Sequence, residues 1–261
     1  MAFFKKLFEK ESCAFCGKEI GIFGKKKLED GVMCGECQKK LSPWFSDRRN
    51  STIAEIQEQL DYREANKAEV AAFRTTRSFG SYTKILLDED NQKFMVTSAR
   101  DLEEANPDVL SFSDVTGCTV DVDESVDEEK KTNAEGKEIS YIPPRYTYSY
   151  DFDVVIHVRN PYFDEIRFQL NSSSVEIKTV GRPGLNGRPA NFDPEMNLEY
   201  REYAQMGEEI KEVLLNARQQ VREEVAAAAA PKAAVTCPYC GATTTPDASG
   251  CCEYCGGAVN G

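Results

Sequence analysis

Apolar positions along this chain change their period twice. In STIAEIQEQLDYREANKAEVAAF, Ile53, Ile56, Leu60, Ala68 and Phe73 fall on a broken stripe of about 3.6 residues, and Ser51 or Thr52 stands where a cap belongs, so a helix is predicted over 51–74. Alternation then takes over. Phe79 to Leu87 and Lys93 to Thr97 flank the polar turn DEDN as a hairpin, and VLSFSDVTGCTVDV supplies one or two further strands. From Tyr146 to Val158 every second residue (Tyr146, Tyr148, Tyr150, Phe152, Val154, Ile156, Val158) is aromatic or aliphatic, which marks one buried face. RNPYFD turns the chain back into Ile166, Phe168 and Leu170, and VEIKTV closes the series, giving about seven strands over 78–180. Asp193 with Pro194 then reads as the start of a helix whose apolar stripe is Met206, Ile210, Val213, Leu214, Ala217 and Val221.

A strand meander closed by one amphipathic helix predicts an α+β fold, an antiparallel barrel or sandwich with a C-terminal helix, and in its order of elements it is similar to the pleckstrin-homology-like fold. DVDESVDEEKKTNAEGKE, within the meander, reads as a solvated loop. Its Asp121, Asp123 and Ser125 have the spacing that opens a calcium loop, but Val126 and Thr132 stand where glycine and a bidentate acid are needed. Composition breaks at Ser42-Pro43 and at the Ala-rich run before Pro231. The predicted organisation is a small module over 1–45, a connecting helix over 51–74, the β domain with its long helix over 75–230, and a linker with a second small module over 231–261.

Cysteine arithmetic explains the two ends. Eight of the ten cysteines form Cys-x-x-Cys pairs, which is how zinc ligands are spaced. In the head, Cys13, Cys16, Cys34 and Cys37 frame a stretch that reads as a hairpin through Ile20, Ile22, Leu28 and Val32, with an Asp30-Gly31 turn. A helix starting at the second pair would place its thiolates at the positive end of the dipole. Knuckle, hairpin and ligand-bearing helix look like a treble clef. In the tail, CPYCG and CEYCG align to give Cys237, Cys240, Cys252 and Cys255 as ligands, each pair followed by glycine, and leave Cys251 outside. Four thiolates fill the tetrahedron, so both ions are expected to be structural, two zinc per chain, supplying folding free energy to modules too small to bury a core. The stretch CAFCGKEIGIFGKKKLEDGVMCGECQKKLSP resembles the opening of uncharacterised bacterial proteins with an N-terminal four-cysteine zinc finger. That resemblance implies zinc on Cys13, Cys16, Cys34 and Cys37 and brings no activity with it. The tail resembles the short zinc ribbons found at the ends of many bacterial proteins.

Charge narrows the choice of partner. The net charge of −12 argues against a general polyanion binder. Residues 1–49 carry 11 Lys/Arg against 7 Asp/Glu, while 51–230 carry 20 against 35, so only the head is basic. Lys25, Lys26 and Lys27 make nucleic acid an alternative partner, and Phe3, Phe4, Leu7 and Phe8 make a membrane surface another. In residues 231–261 Lys232 is the one basic residue, which favours protein contact there, with Tyr239 and Tyr254 as aromatic surface. No secretory signal and no apolar run of roughly 20 residues is present, so the expected location is cytoplasmic. The single histidine, His157, lies on the polar side of its strand; Cys118 reads as a small buried hydrophobe; GRPGLNGRP lacks the spacing of a phosphate loop. The chain is therefore expected not to be an enzyme, but a zinc-binding adaptor for a protein partner.

Overall fold

The structure is a computed structural model that describes residues 11–21, 24–181, 189, 192–229, 234–245 and 250–259. Phe3, Phe4, Leu7, Phe8, Ile22, most of the GRPGLNGRP loop, Pro231 and Lys232 lie outside these residues, as does the side chain of Val221.

The head is made of very short strands. β1 (Glu11–Ser12) pairs with β2 (Glu19–Ile20), β3 (Lys26–Lys27) pairs with β4 (Val32–Met33), and α1 (Gly35–Gln38) follows at once. A 3-10 turn, Asp47–Asn50, leads into α2 (Ile53–Ala72). The start of α2 is set by a capping box: the Thr52 hydroxyl accepts from the Glu55 N–H at 3.3 Å, and the Glu55 carboxylate accepts from the Thr52 N–H at 2.7 Å.

The buried face of α2 differs from the predicted stripe. It is Ile56, Gln59, Arg63, Asn66 and Val70, three of them polar. Arg63 donates to Asp108 at 2.8 Å, to the Lys40 carbonyl at 3.2 Å and to the Asn106 carbonyl. Asn66 donates to the Pro107 carbonyl at 2.7 Å, and Ser42 reaches the other oxygen of Asp108 at 2.8 Å. The helix is held by hydrogen bonds to the end of the head on one side and to residues 106–108 on the other. A periodicity argument that counts polar residues as solvent-facing does not see such a face.

Next come β5 (Arg77–Phe79), β6 (Lys84–Asp88), β7 (Lys93–Thr97), the short α3 (Leu102–Ala105) and β8 (Leu110–Ser111), which form a sheet of order β5-β6-β7-β8. The single strand expected over Phe79 to Leu87 is broken at Gly80. Its φ is +99°, and a Cβ there would meet the Thr83 carbonyl at 2.3 Å, so the chain turns and pairs with itself.

The second sheet contains β9 (Val115–Thr132), β10 (Glu138–Val158), β11 (Glu165–Gln169) and β12 (Val175–Val180). β10 is its central strand. β9 lies along one edge for its whole length, while β11 pairs with Asp153 to His157 and β12 with Arg145 to Tyr150 on the other. Eight strands thus occupy residues 77–180. The acidic stretch expected to be a loop is instead the outer part of β9, paired through Glu124↔Tyr150 and Val126↔Tyr148 and on to Thr132↔Glu138, around a turn at 133–137. Its backbone pairs along the ladder while its acidic residues stay exposed or half-buried, so composition alone misread it.

Asp193 and Pro194 open a 3-10 turn (Pro194–Met196) rather than the helix itself, which is α4 (Leu198–Ala229). One buried cluster draws on both sheets and on α4: Ile85, Leu87 and Phe94 from the first, Tyr148, Tyr150, Phe152 and Ile156 from the second, and Ile210 and Leu214 from the helix. Tyr200 meets Tyr150 and Phe152 edge-on at 5.0 and 5.1 Å, and Gly207 lets α4 close on Val120, since a Cβ there would fall 2.9 Å from it. Among the described residues the strands form two four-stranded sheets and no closed barrel. The architecture is α+β and antiparallel, with a cysteine cluster near each end.

Two compact units are distinguishable, one reaching to Arg218 and one from Gln219 onward. The second contains β13 (Val235–Thr236) paired with β14 (Thr243–Thr244), and an isolated bridge joins Cys251 and Ala258. Among the described residues no helix is long and apolar enough to cross a membrane.

Candidate metal centres

A Cys-x-x-Cys-Gly turn recurs three times with the same geometry. In the head, Cys13 N–H donates to the Lys18 carbonyl at 2.9 Å and Gly17 N–H to the Cys13 carbonyl at 2.9 Å. In the tail, Cys237 and Gly241 repeat the pattern through Ala242 at 2.8 and 2.9 Å, and Cys252 and Gly256 through Gly257 at 2.8 Å each. The closing glycines have φ of +70°, +73° and +71°, a conformation that L side chains resist. This turn aims two sulfurs to the same side, which explains why glycine follows each pair.

The fourth pair is built differently. Cys34 is the N-cap of α1, its sulfur accepting from the Cys37 N–H at 3.4 Å, and Cys37 lies within the helix. The head therefore combines one knuckle with one helix start, and the tail combines two knuckles.

These elements bring the eight predicted cysteines into two groups of four. In each group the Sγ atoms all lie within 4.8 Å of one another: Cys13, Cys16, Cys34 and Cys37 in the head, Cys237, Cys240, Cys252 and Cys255 in the tail. The individual separations are 3.7 Å for Cys16–Cys34, 3.6 Å for Cys237–Cys255 and 3.8 Å for Cys240–Cys252. A tetrahedral zinc ion with Zn–S bonds of about 2.3 Å requires sulfurs roughly 3.8 Å apart. Disulfide sulfurs would be only about 2.05 Å apart, and none of the ten cysteines is bridged. The donor set fits a zinc-type ion.

Electrostatics point the same way. Burial pushes the Cys13 thiol up, but the N–H groups of Cys16, Phe15 and Cys34 outweigh it and leave it at about 6. Cys34 is lowered by the Cys37 N–H. Cys37 is pushed well up, first by burial and then by the neighbouring sulfurs of Cys34, Cys16 and Cys13. In the tail, burial opposes and the N–H groups of Tyr254 and Cys255 favour ionisation of Cys252, which settles at about 7. The Gly257 N–H pulls Cys255 down, yet the thiols of Cys240 and Cys237 hold it at about 12. Each cluster is thus prepared for thiolates but too crowded for four of them together. A divalent cation at the centre removes that conflict, because it binds the ionised form of every ligand.

Cys251, the cysteine left over, is now placed. Its bridge to Ala258 corresponds to the Thr236–Thr243 pairing of the other tail knuckle, so it is the bridge residue ahead of the turn and not one of the four. Of the basic cluster, Lys25 is 3.1 Å from Glu11 and its side chain is mostly buried. His157 stands on the outer sheet face 3.8 Å from Glu165, and Cys118 is buried in the core, its thiol pushed up to about 11 by that burial. None of these joins a constellation with a second reactive group.

Residues 11–59 match the model of a family described as a domain of unknown function, DUF4428, a span that holds the four head cysteines and the start of α2. No curated protein matches the chain. No solved structure matches it. The family match and the two tetracysteine clusters fit a zinc-finger-like N-terminus and a C-terminal zinc ribbon, in a zinc-binding module of unknown function.

Proposed function

We propose that the chain is a non-enzymatic zinc adaptor: a treble-clef-like finger, a pleckstrin-homology-like β domain and a C-terminal zinc ribbon that binds a protein partner. The observation that supports recognition by the ribbon is the exposure of its two knuckle tyrosines. Tyr239 and Tyr254 are 73% and 70% exposed although each lies between two metal-ligand positions. The tail core is instead made by Cys237, Cys252 and Val259. Large aromatics left in solvent on a stapled scaffold are what interfaces use, because they contribute area at little entropic cost. Phosphate binding is disfavoured, since Lys232 is the only basic residue after 230.

The head supports the same reading less directly. One of its three consecutive lysines is already engaged by Glu11, which weakens the nucleic-acid alternative. The test is site-specific photocrosslinking at Tyr239 in the zinc-loaded chain. A single discrete protein adduct is expected, lost in Tyr254→Ala and after chelation; adducts that survive both changes, or that are nucleic acid, would refute the adaptor reading.

A further inference from the structure

The tail cluster differs from the head cluster in how its cysteines can be reached. Cys240 and Cys255 are exposed while Cys237 and Cys252 are buried, so each knuckle of the ribbon offers one open ligand and one closed one. Close sulfur contacts cross between the knuckles: Cys255 Sγ lies 3.6 Å from Cys237 Sγ, and Cys240 Sγ lies 3.8 Å from Cys252 Sγ. Each exposed cysteine therefore has a buried one of the opposite knuckle at hand. The head offers a single pair of that kind, Cys16 with Cys34 at 3.7 Å, because Cys13 and Cys37 are both buried.

Charge separates the two sites further. Residues 11–41 contain six lysines and five acids, whereas residues 233–261 contain two acids, Asp247 and Glu253, and no Lys, Arg or His. Four thiolates around a divalent cation are formally dianionic. In the head that charge is offset within the module, and in the tail it adds to two carboxylates. Thiols in such a set are already ionised, so intrinsic nucleophilicity decides their reactivity, and it falls where cations stabilise the thiolate. The tail sulfurs are the better nucleophiles, and an uncharged oxidant meets no electrostatic barrier on its way to them. Tyr239 depends on the same geometry. Its N–H donates to Cys237 Sγ at 3.4 Å, and its ring lies against Gly257 of the other knuckle, where a Cβ would fall 2.6 Å from it.

We propose that the tail cluster is an oxidation site for hydrogen peroxide and related two-electron oxidants, which close Cys237–Cys255 and Cys240–Cys252 as disulfides across the two knuckles. The Cys255 thiolate attacks one peroxide oxygen, the O–O bond breaks and hydroxide leaves, giving a sulfenic acid. The Cys237 thiolate then attacks that sulfur, forms the S–S bond and displaces a second hydroxide; two protons from solvent turn both hydroxides into water. The cysteine pair gives up two electrons and the peroxide takes them. Cys240 and Cys252 repeat the sequence with a second peroxide. Each bridge removes two thiolates, so the four-sulfur donor set no longer exists after the first. Closing sulfurs from 3.6 Å to the disulfide length of about 2.05 Å also moves the two knuckles on which Tyr239 rests. Oxidation therefore releases the protein partner, a consequence that rests on the adaptor reading; the oxidation site itself does not.

Hydrogen peroxide at two equivalents per chain, added to the zinc-loaded full chain, tests this. One ion per chain should be released about tenfold faster than the other, read by a zinc indicator too weak to strip either site unaided. Peptide mapping should place the disulfides at Cys237–Cys255 and Cys240–Cys252, and dithiothreitol with added zinc should restore the metal content. Cys251→Ser and Cys118→Ser should release the ion as wild type does, because neither thiol belongs to the route. Glu253→Lys, which brings a cation into the second knuckle without touching a ligand, should keep its zinc and slow the release severalfold. Release of the head ion first, bridges within one knuckle, bridges that include Cys251, or a rate indifferent to Glu253→Lys would each overturn the proposal. Photocrosslinking at Tyr239 separates this from the adaptor reading. A reduced chain that forms no adduct counts against the adaptor alone, and an adduct that persists in the oxidised chain would overturn the link between oxidation and partner release.

Discussion

Cys251 and Cys252 are adjacent, chemically identical and differently employed, and what separates them is one backbone turn. Cys252 opens a turn closed by Gly256 at φ +71° and places its sulfur in the cluster, while Cys251, just before that turn, forms an isolated bridge with Ala258. Cys251→Ser should leave two metal ions per chain by native mass spectrometry, and Cys252→Ser should leave one. This distinction was legible in the sequence because it is local: the glycine that must follow the pair is itself visible. Asp88 is the opposite case, an ordinary-looking acid at the end of β6 that is fully buried. Burial pushes its carboxyl up, but the N–H of Arg74 and the side chain and N–H of Asn91, with Lys93 nearby, pull it below the usual carboxylate value. A depressed folded pKa means that its stabilisation is complete above the unfolded value of about 3.9 and is lost as pH falls through the folded one. Asp88→Asn should therefore lower the denaturation midpoint at pH 7, and the gap from wild type should close below roughly pH 4; a gap that is the same at both pH values would refute the assignment.

At the scale of elements, two of the misread stretches share a cause. Alternation and helical periodicity both look for an apolar face, and neither α2 nor the outer part of β9 presents one in the expected form. In α2 Arg63 and Asn66 are buried and donate to backbone carbonyls of the head and of residues 106–107; in the outer part of β9 residues on both faces are mostly polar and solvent-facing, so no alternation marks the strand, although its partner, the Tyr146 to Val158 run, carries a clear one. β10 also leaves the ladder between Ser140 and Arg145, and that break had a signal, two prolines inside an alternating run, which demotes a strand without saying what replaces it. The α2 face can be tested by substitution. Arg63 and Asp108 are ion-paired at 2.8 Å with side chains 6% and 0% exposed. Removing one partner leaves the other charge buried, so Arg63→Ala should cost about 3–5 kcal/mol in denaturant unfolding, and Arg63→Met with Asp108→Leu far less. Gln59, one turn earlier, is fully buried, and among the described residues neither amide atom has a hydrogen-bond partner. Gln59→Met should be neutral or stabilising by about 1 kcal/mol in the same experiment, since it removes a desolvated amide and keeps the volume. A loss as large as that of Arg63→Ala would mean that the amide has a partner of its own.

For the whole molecule, what matters is that its buried clusters differ in how much they owe to metal. Among the described residues the tail cluster consists of Cys237, Cys252 and Val259 with Val235 against it, so two of its three buried members are ligands and little of it is independent of the ion. In the head, three of the eight buried members among the described residues are ligands, and Ile56 ties the cluster to α2, which is anchored separately through Arg63 and Asn66. The sheet cluster contains no ligand at all. Accessibility follows the same order: the tail exposes Cys240 and Cys255, whereas the head exposes only Cys16 of its four. A chelator must reach a sulfur–metal bond before it can compete for the ion, and a module whose folding free energy is mainly metal binding unfolds when the ion leaves. Hydrogen exchange on the full chain with increasing chelator should therefore lose protection first in residues 235–259, next in 11–41 with the first turns of α2, and not in β6, β7 or β9 to β12. The loss should come in two steps, each matched by release of one ion per chain. Protection lost from β10 in step with the tail would show that the sheet depends on metal, and a single concerted step would show that the two clusters are coupled and not independent staples.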